Sequence, residues 1–343
     1  MGIPESLMTN LPATREVIQS LPKTETHLHV EGALPWELLE RKYPAKYSEQ
    51  PAFRSENFRY DSFEQFESTL IDHALDWFDS PESYHEAAAL IFSKHVEQNV
   101  KYVETSFHAG MMEFLKIPGE EILQAILSAV PPELEVRVFL GISRNAYTSY
   151  LGPLLEQAIE KWDFLAGIDL HGLESLPMEA WTQPFWARAS SEGKVLKAHA
   201  GEFGPAGNVE QAVTQLGVRR IQHGIRASES EEVMKLLLKE EVTLDLCPIS
   251  NYKLRVVDKQ DDHPIRNFME RGIRCTVSTD DPLSFNNSLN QEYEALVDSL
   301  GFSAREIGQL AKNGFSVADL EPAKATEYQR QIDEIVEKAC SGQ

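Results

Sequence analysis

Cysteine is scarce in this sequence, with three residues in 343 (Cys247, Cys275 and Cys340) and no CxxC pair. That spacing excludes a disulfide scaffold and a thiolate zinc knuckle, and it suits a reducing, cytoplasmic compartment. Long apolar runs are also missing: no stretch reaches the roughly 18 residues that a membrane span needs. The first residues lack a basic region followed by an apolar one, so no export signal is expected. Gly2 to Ser6 fits the loose myristoylation pattern, which we read as a chance match. Positive charge is in deficit, with 32 Lys plus Arg against 54 Asp plus Glu, a net charge of −22. Such a chain repels phosphate backbones and anionic lipid, so neither nucleic acid nor a membrane is expected as partner, and a small neutral or cationic ligand fits better. There is no Gly/Ser linker, internal repeat or low-complexity run, so residues 1–343 read as one domain; the oligomeric state is left open.

What is present is a series of eight short apolar, β-branched runs. They are Thr24–His29, Val100–Phe107, Val136–Ile142, Leu165–Leu170, Val195–His199, Arg220–His223, Val242–Cys247 and Ile273–Ser278. Stretches of helical period lie between them, including 120–129, 150–161, 181–191, 208–216, 229–239 and 264–271. Strand and helix alternate, and eight βα units are the count of a closed α/β (β/α)8 TIM barrel. The one irregular gap, 30–99, is expected to be a helical insertion over one barrel face, and the C-terminal 303–340 a helical segment.

In such a barrel the chemistry sits where the strands end. The first run ends His27-Leu28-His29, and period-two alternation sends both imidazoles inward. By itself the pair could be structural and hydrogen-bonded, or it could bind metal. The fifth run ends His199-Ala200-Gly201-Glu202, the sixth His223-Gly224, and the eighth leads into Thr279-Asp280-Asp281. Four strands thus deliver His or Asp to one rim. Three imidazoles and a carboxylate, with a position left open for water, form a catalytic rather than a structural zinc arrangement. Glu202, just past His199, is placed to shuttle protons without being a ligand.

These residues carry a resemblance to the adenosine deaminase family of metal-dependent hydrolases. The matching segments are 22–32 (PKTETHLHVEG), 167–172 (GIDLHG), 199–202 (HAGE), His223-Gly224, 247–251 (CPISN) and 278–282 (STDDP). The resemblance implies one Zn2+ per chain held by His27, His29, His199 and Asp280. It implies that Glu202 protonates purine N1, that His223 orients the attacking water, that Asp281 contacts N7, that the Gly172 backbone contacts N3, and that Glu31 lies toward the ribose. The expected reaction is hydrolytic deamination of a 6-aminopurine to the 6-oxopurine plus ammonia.

The substrate signals conflict. Family members acting on free adenine mostly carry Glu at the position of Glu31, whereas Gly172 and the 279–285 segment look like those of nucleoside enzymes. On that balance the expected substrate is an adenosine-like nucleoside, 5′-modified forms such as aminodeoxyfutalosine included, with free adenine as the alternative. Phe63 and Phe66 in the insertion read as a hydrophobic lid, or as packing of helix on barrel. His171 is expected to point between barrel and helix, Arg144 and Glu104 to form a structural network at the rim, and Cys247 only to pack. Two rivals from other classes are weakened. A binuclear hydrolase would want a lysine ending the fourth run, where Leu170-His171-Gly172 stands, and a catalytically silent binding barrel would have no need of the full residue set. The HxE…PCxxC signature of nucleic-acid base deaminases is absent.

Overall fold

A computed structural model describes residues 11–341; the myristoylation-like match at Gly2 lies outside them. Eight strands form one parallel sheet in sequence order. They are β1 (Lys23–His29), β2 (Val100–His108), β3 (Glu135–Ser143), β4 (Leu165–His171), β5 (Val195–Ala200), β6 (Arg220–His223), β7 (Thr243–Leu246) and β8 (Arg274–Val277). Closure between β8 and β1 uses the residues just beyond β8: the Asp280 amide donates to His27 O at 3.0 Å, and the His29 amide donates to Asp280 O at 3.2 Å. The expected TIM barrel is therefore the observed fold, and its seam passes through the residues singled out from the sequence.

Alternation along the strands explains what each face holds. In β2, β4 and β5, Glu104, Asp169, Lys197 and His199 meet inside the barrel, while Val103, Ile168, Leu170 and Ala198 alternate with them in the apolar core. The interior is not apolar throughout. Glu104 pairs with Lys197 and lies 3.0 Å from Arg220, which in turn lies 2.9 Å from Asp245. Although burial opposes its charge, Arg220 and Lys197 hold the Glu104 carboxyl below its ordinary range. Arg144 belongs elsewhere, donating to the His199 carbonyl at 3.1 Å. Glu104 and Arg144 thus serve two different groups rather than the single rim network expected from sequence, because β2 places Glu104 a layer below the mouth.

Helix α1 (Leu11–Ser20) precedes β1, and the insertion after β1 holds α2 (Trp36–Lys42), α3 (Phe63–Trp77) and α4 (Pro81–Glu97). Ser62 and Ser80 cap α3 and α4 by accepting from the amides of Gln65 and Ser83. The C-terminal segment is two helices, Ala304–Val317 and Pro322–Ser341, and the break falls where Pro322 can start a helix but not continue one. No helix among the described residues is long and apolar enough to cross a membrane.

Removing Glu104 leaves Lys197 and Arg220 buried with less compensation. Glu104→Ala should therefore cost about 3–5 kcal/mol in urea unfolding. A cost below about 1 kcal/mol would contradict this account of the interior.

Candidate active site

Three imidazoles meet a carboxylate where β1 and β5 end and β8 runs out. The Nε2 atoms of His27 and His199 lie 3.0 Å apart, and Asp280 Oδ1 lies 3.3 Å from Nε2 of both His27 and His29. Their outer nitrogens fix the proton positions. His27 Nδ1 faces the Asp245 carbonyl at 3.3 Å, which can only accept, and His199 Nδ1 faces the Asp169 carboxylate at 3.3 Å. Both rings therefore carry the proton on Nδ1 and turn Nε2 lone pairs toward each other. His29 Nδ1 meets Ser106 Oγ at 2.8 Å, a hydroxyl able to take either role, so its Nε2 can present a lone pair as well. Converging lone pairs and a carboxylate oxygen fit a divalent cation that takes nitrogen and oxygen donors. Cys247 does more than pack, with Sγ 3.4 Å from His27 Nδ1.

His223 belongs to the same cluster by distance: ligand-capable atoms of His27, His199, His223 and Asp280 all lie within 4.8 Å of one another, as do those of His29, Asp280 and Asp281. Hydrogen bonding separates it from the others. Its Nδ1 faces the Asn251 amide nitrogen at 3.1 Å and accepts, which leaves the proton on Nε2, 3.6 Å from Glu202 Oε1 and 3.8 Å from Asp280 Oδ2. His223 and Asp280 both have left-handed backbone, φ 63° and 66°. Strain of this kind is commonest at functional sites.

Two further carboxyls sit at the rim. Burial, reinforced by Asp280, Glu174 and Asp281, pushes Glu202 well above the ordinary carboxylate range, and burial with Asp280 does the same to Asp281. Glu202 Oε1 and Asp281 Oδ1 are buried without a hydrogen-bond partner. Gly32 lets Asp281 come so close, since a Cβ there would occupy the space of its carboxyl. Glu174 had no place in the sequence reading. Its carboxylate accepts from the amides of Gly201, Glu202, Phe203 and Gly204 at 2.5–3.0 Å and from Asn208 Nδ2 at 3.0 Å, which fixes the turn that carries Glu202.

These groups open onto a cavity of about 270 Å³. One wall is α3, through Phe63, Phe66, Glu67, Leu70, Ile71 and Ala74; Phe63 lies 5.3 Å from Phe203 and Phe66 stacks on Phe285 at 5.4 Å, ring centre to ring centre. Phe63 and Phe66 thus line the cavity and pack on the barrel, whereas Trp77 donates to Ser83 O and Phe78 packs on Tyr84. Gly172 (φ 86°), Glu31 and Asp281 also line it. Glu31 accepts from the Tyr84 hydroxyl at 2.7 Å and from the His108 amide at 3.2 Å. His171 faces the cavity, not the barrel–helix gap expected from sequence: Asp169 points inward, so the residue two further along β4 does too, and its ring fills the space that Gly141 leaves free. Burial keeps His171 and its neighbour His108 neutral, His108 being lowered to about 4.

The adenosine deaminase family profile matches residues 22–337. The chain belongs to the adenosine deaminase family. An adenine deaminase of Ectopseudomonas mendocina is 33% identical over 309 residues, covering 86% of this chain and 96% of that protein. A crystal structure of an adenine deaminase from Arthrobacter aurescens superimposes with a TM-score of 0.83 at 26% identity, covering 92% of this chain and 99% of that one. A zinc-bound amidohydrolase from Burkholderia ambifaria shares the fold, with a TM-score of 0.82 at 20% identity and coverage of 99% and 96%. As a member of this family the chain is an aminohydrolase that carries out hydrolytic deamination. Its His27, His199, His223 and Asp280 form a cluster that could hold a metal ion.

The sequence reading named residues that lie together in the structure: His27, His29, His199, Asp280, Glu202, His223, Asp281, Gly172 and Glu31 from the family resemblance, and Phe63 and Phe66 from the insertion, all border the metal cluster or the cavity. It missed Glu174, two positions after Gly172, along with His108, Ser106 and His263. Their spacing gives no sign of where they converge.

The raised pKa of Glu202 has a consequence for stability. The folded chain keeps a proton that the unfolded chain gives up near pH 4.5, so stability falls as pH rises above that value. In metal-free protein, Glu202→Gln should melt higher than wild type at pH 7, and the difference should close as pH falls toward 4.5. A difference that is constant with pH, or of opposite sign, would contradict the assignment.

Proposed function

We propose that the protein is a zinc-dependent adenine deaminase, converting the free base and water to hypoxanthine and ammonia. The sequence alone favoured a nucleoside; the curated relatives favour its alternative. Glu31 carries the choice. It is the residue type of adenine-specific members, and it stands in the cavity with its carboxylate already engaged by Tyr84 and the His108 amide. The cavity lies just below the roughly 300–1,000 Å³ typical of small-molecule sites, and its α3 wall is apolar apart from Glu67, so it offers few partners to ribose hydroxyls. The free base also carries an imidazole N–H that a nucleoside lacks, and Glu31 is an acceptor for it.

His27, His29, His199 and Asp280 would hold one zinc ion per chain. When bound, the ion supplies the positive charge that makes a water nucleophilic near neutral pH. The remaining steps belong to side chains. Glu202, neutral through burial, donates its proton to ring N1, which draws electron density from C6. His223 directs Nε2–H into the space between Glu202 and Asp280 where the attacking water must sit, and so orients it. Asp281, also neutral, donates to N7, an acceptor-only atom that an ionised carboxylate would repel. The backbone of Gly172 lies on the N3 side. Phe63 and Phe66 exclude water, which strengthens each of these polar contacts.

Glu202→Gln should keep its zinc, because Glu202 is not a ligand, and lose at least about 10²–10⁴-fold in kcat. A rate near wild type would discard its role. Substrate choice is decided by kcat/KM of the zinc-loaded protein for adenine and adenosine, read as ammonia release. Adenine should be preferred by more than about tenfold, and a preference for adenosine would return the assignment to a nucleoside.

A further inference from the structure

The proton on His223 is set from outside the cavity. His223 ends β6; Asn251 lies on the short helix Pro248–Lys253, and His263 stands just before the helix Ile265–Glu270. All three are buried. The Ile265 amide donates to His263 Nδ1 at 3.2 Å, His263 Nε2 faces Asn251 Oδ1 at 3.2 Å, and Asn251 Nδ2 faces His223 Nδ1 at 3.1 Å. A backbone N–H can only donate, so the first link has one polarity. His263 Nδ1 must accept, which puts the ring proton on Nε2. Asn251 must then turn its oxygen to His263 and its NH2 to His223, and His223 Nδ1 must accept in turn. Reversing any one link would set donor against donor or lone pair against lone pair in a dry interior, where an unmade hydrogen bond is costly.

We propose that Asn251 and His263 are positioning residues that hold His223 as an Nε2–H donor through a one-way chain of hydrogen bonds starting at the Ile265 amide. The arrangement decides between two roles for a ring that lies within metal-binding distance of His27, His199 and Asp280. With its lone pair on Nδ1, His223 has only a proton to offer the cavity and cannot compete as a ligand. With the opposite tautomer it would add a further nitrogen to the cluster and lose its donor. The inference rests on the proposed deaminase reading only where turnover is scored, since the tautomer can be read without substrate.

Long-range 1H–15N spectra of zinc-loaded protein labelled at histidine distinguish Nδ1–H from Nε2–H rings. Wild type should show His223 as Nε2–H. Asn251→Asp, nearly isosteric, keeps an acceptor toward His263 but turns a second acceptor toward His223. It should move the His223 proton to Nδ1, retain zinc, and lower kcat by about 10²-fold or more with KM within about threefold, in line with the large cost of a wrong histidine tautomer elsewhere. His263→Leu should lower kcat by about tenfold or more, and His263→Gln, which restores an N–H toward Asn251, should recover most of that loss. An Nδ1–H signal for His223 in wild type overturns the proposal, as does an Asn251→Asp protein that keeps kcat within about threefold. If Asn251→Asp fails to fold, the wild-type spectrum still decides. A wrong substrate assignment would appear only in the adenine and adenosine rates and leave that spectrum unchanged.

Discussion

Two imidazole nitrogens 3.0 Å apart, each with its proton on the far side of the ring, are the constraint around which this barrel mouth is built. The Asp245 carbonyl and the Asp169 carboxylate hold the outer nitrogens of His27 and His199, so the inner lone pairs turn toward each other and toward Asp280. A cation relieves that repulsion, and Asp280, whose backbone also stitches β8 to β1, ties it to closure of the fold. Barrel geometry and metal chemistry therefore share atoms. This explains why a residue with left-handed backbone is tolerated at the seam.

Around this core the site arranges carboxyls of opposite character at short range. Asp280 is held ionised by the histidines despite its burial, whereas Glu202 and Asp281 are driven toward the neutral form by burial and by Asp280 itself. Burial and one anion together thus favour the protonated form of its neighbours, the form their proposed role as proton donors requires. Glu174 adds negative charge but is chiefly a clamp, tying four successive amides of the turn that carries Glu202.

Much of this was legible in the sequence because strand alternation and strand ends are local properties. His27-Leu28-His29 and His199-Ala200-Gly201-Glu202 reveal their geometry through period two and the rule that barrel chemistry sits at strand C-termini. His171 was misjudged although the same alternation applied: Asp169 faces inward to His199, which sends His171 inward too, and room for its ring comes from Gly141 on the neighbouring strand. Glu174 and His263 could not be read at all. Their partners are backbone amides and an asparagine brought near by loop paths, and no periodicity in the chain records such contacts. The choice of substrate was the least legible point, since Glu31 is the residue type of members acting on the base whereas Gly172 looks like that of nucleoside enzymes.

A mononuclear site with three imidazole ligands leaves no place for Cys247 or a second metal in the coordination sphere. X-ray absorption at the zinc edge of the loaded protein tests it most directly. The account predicts nitrogen and oxygen scatterers only, with imidazole nitrogens at roughly 2.0–2.1 Å and multiple-scattering features of three rings. A sulfur shell near roughly 2.3 Å, or a metal–metal feature at roughly 3.5–4 Å, would contradict it.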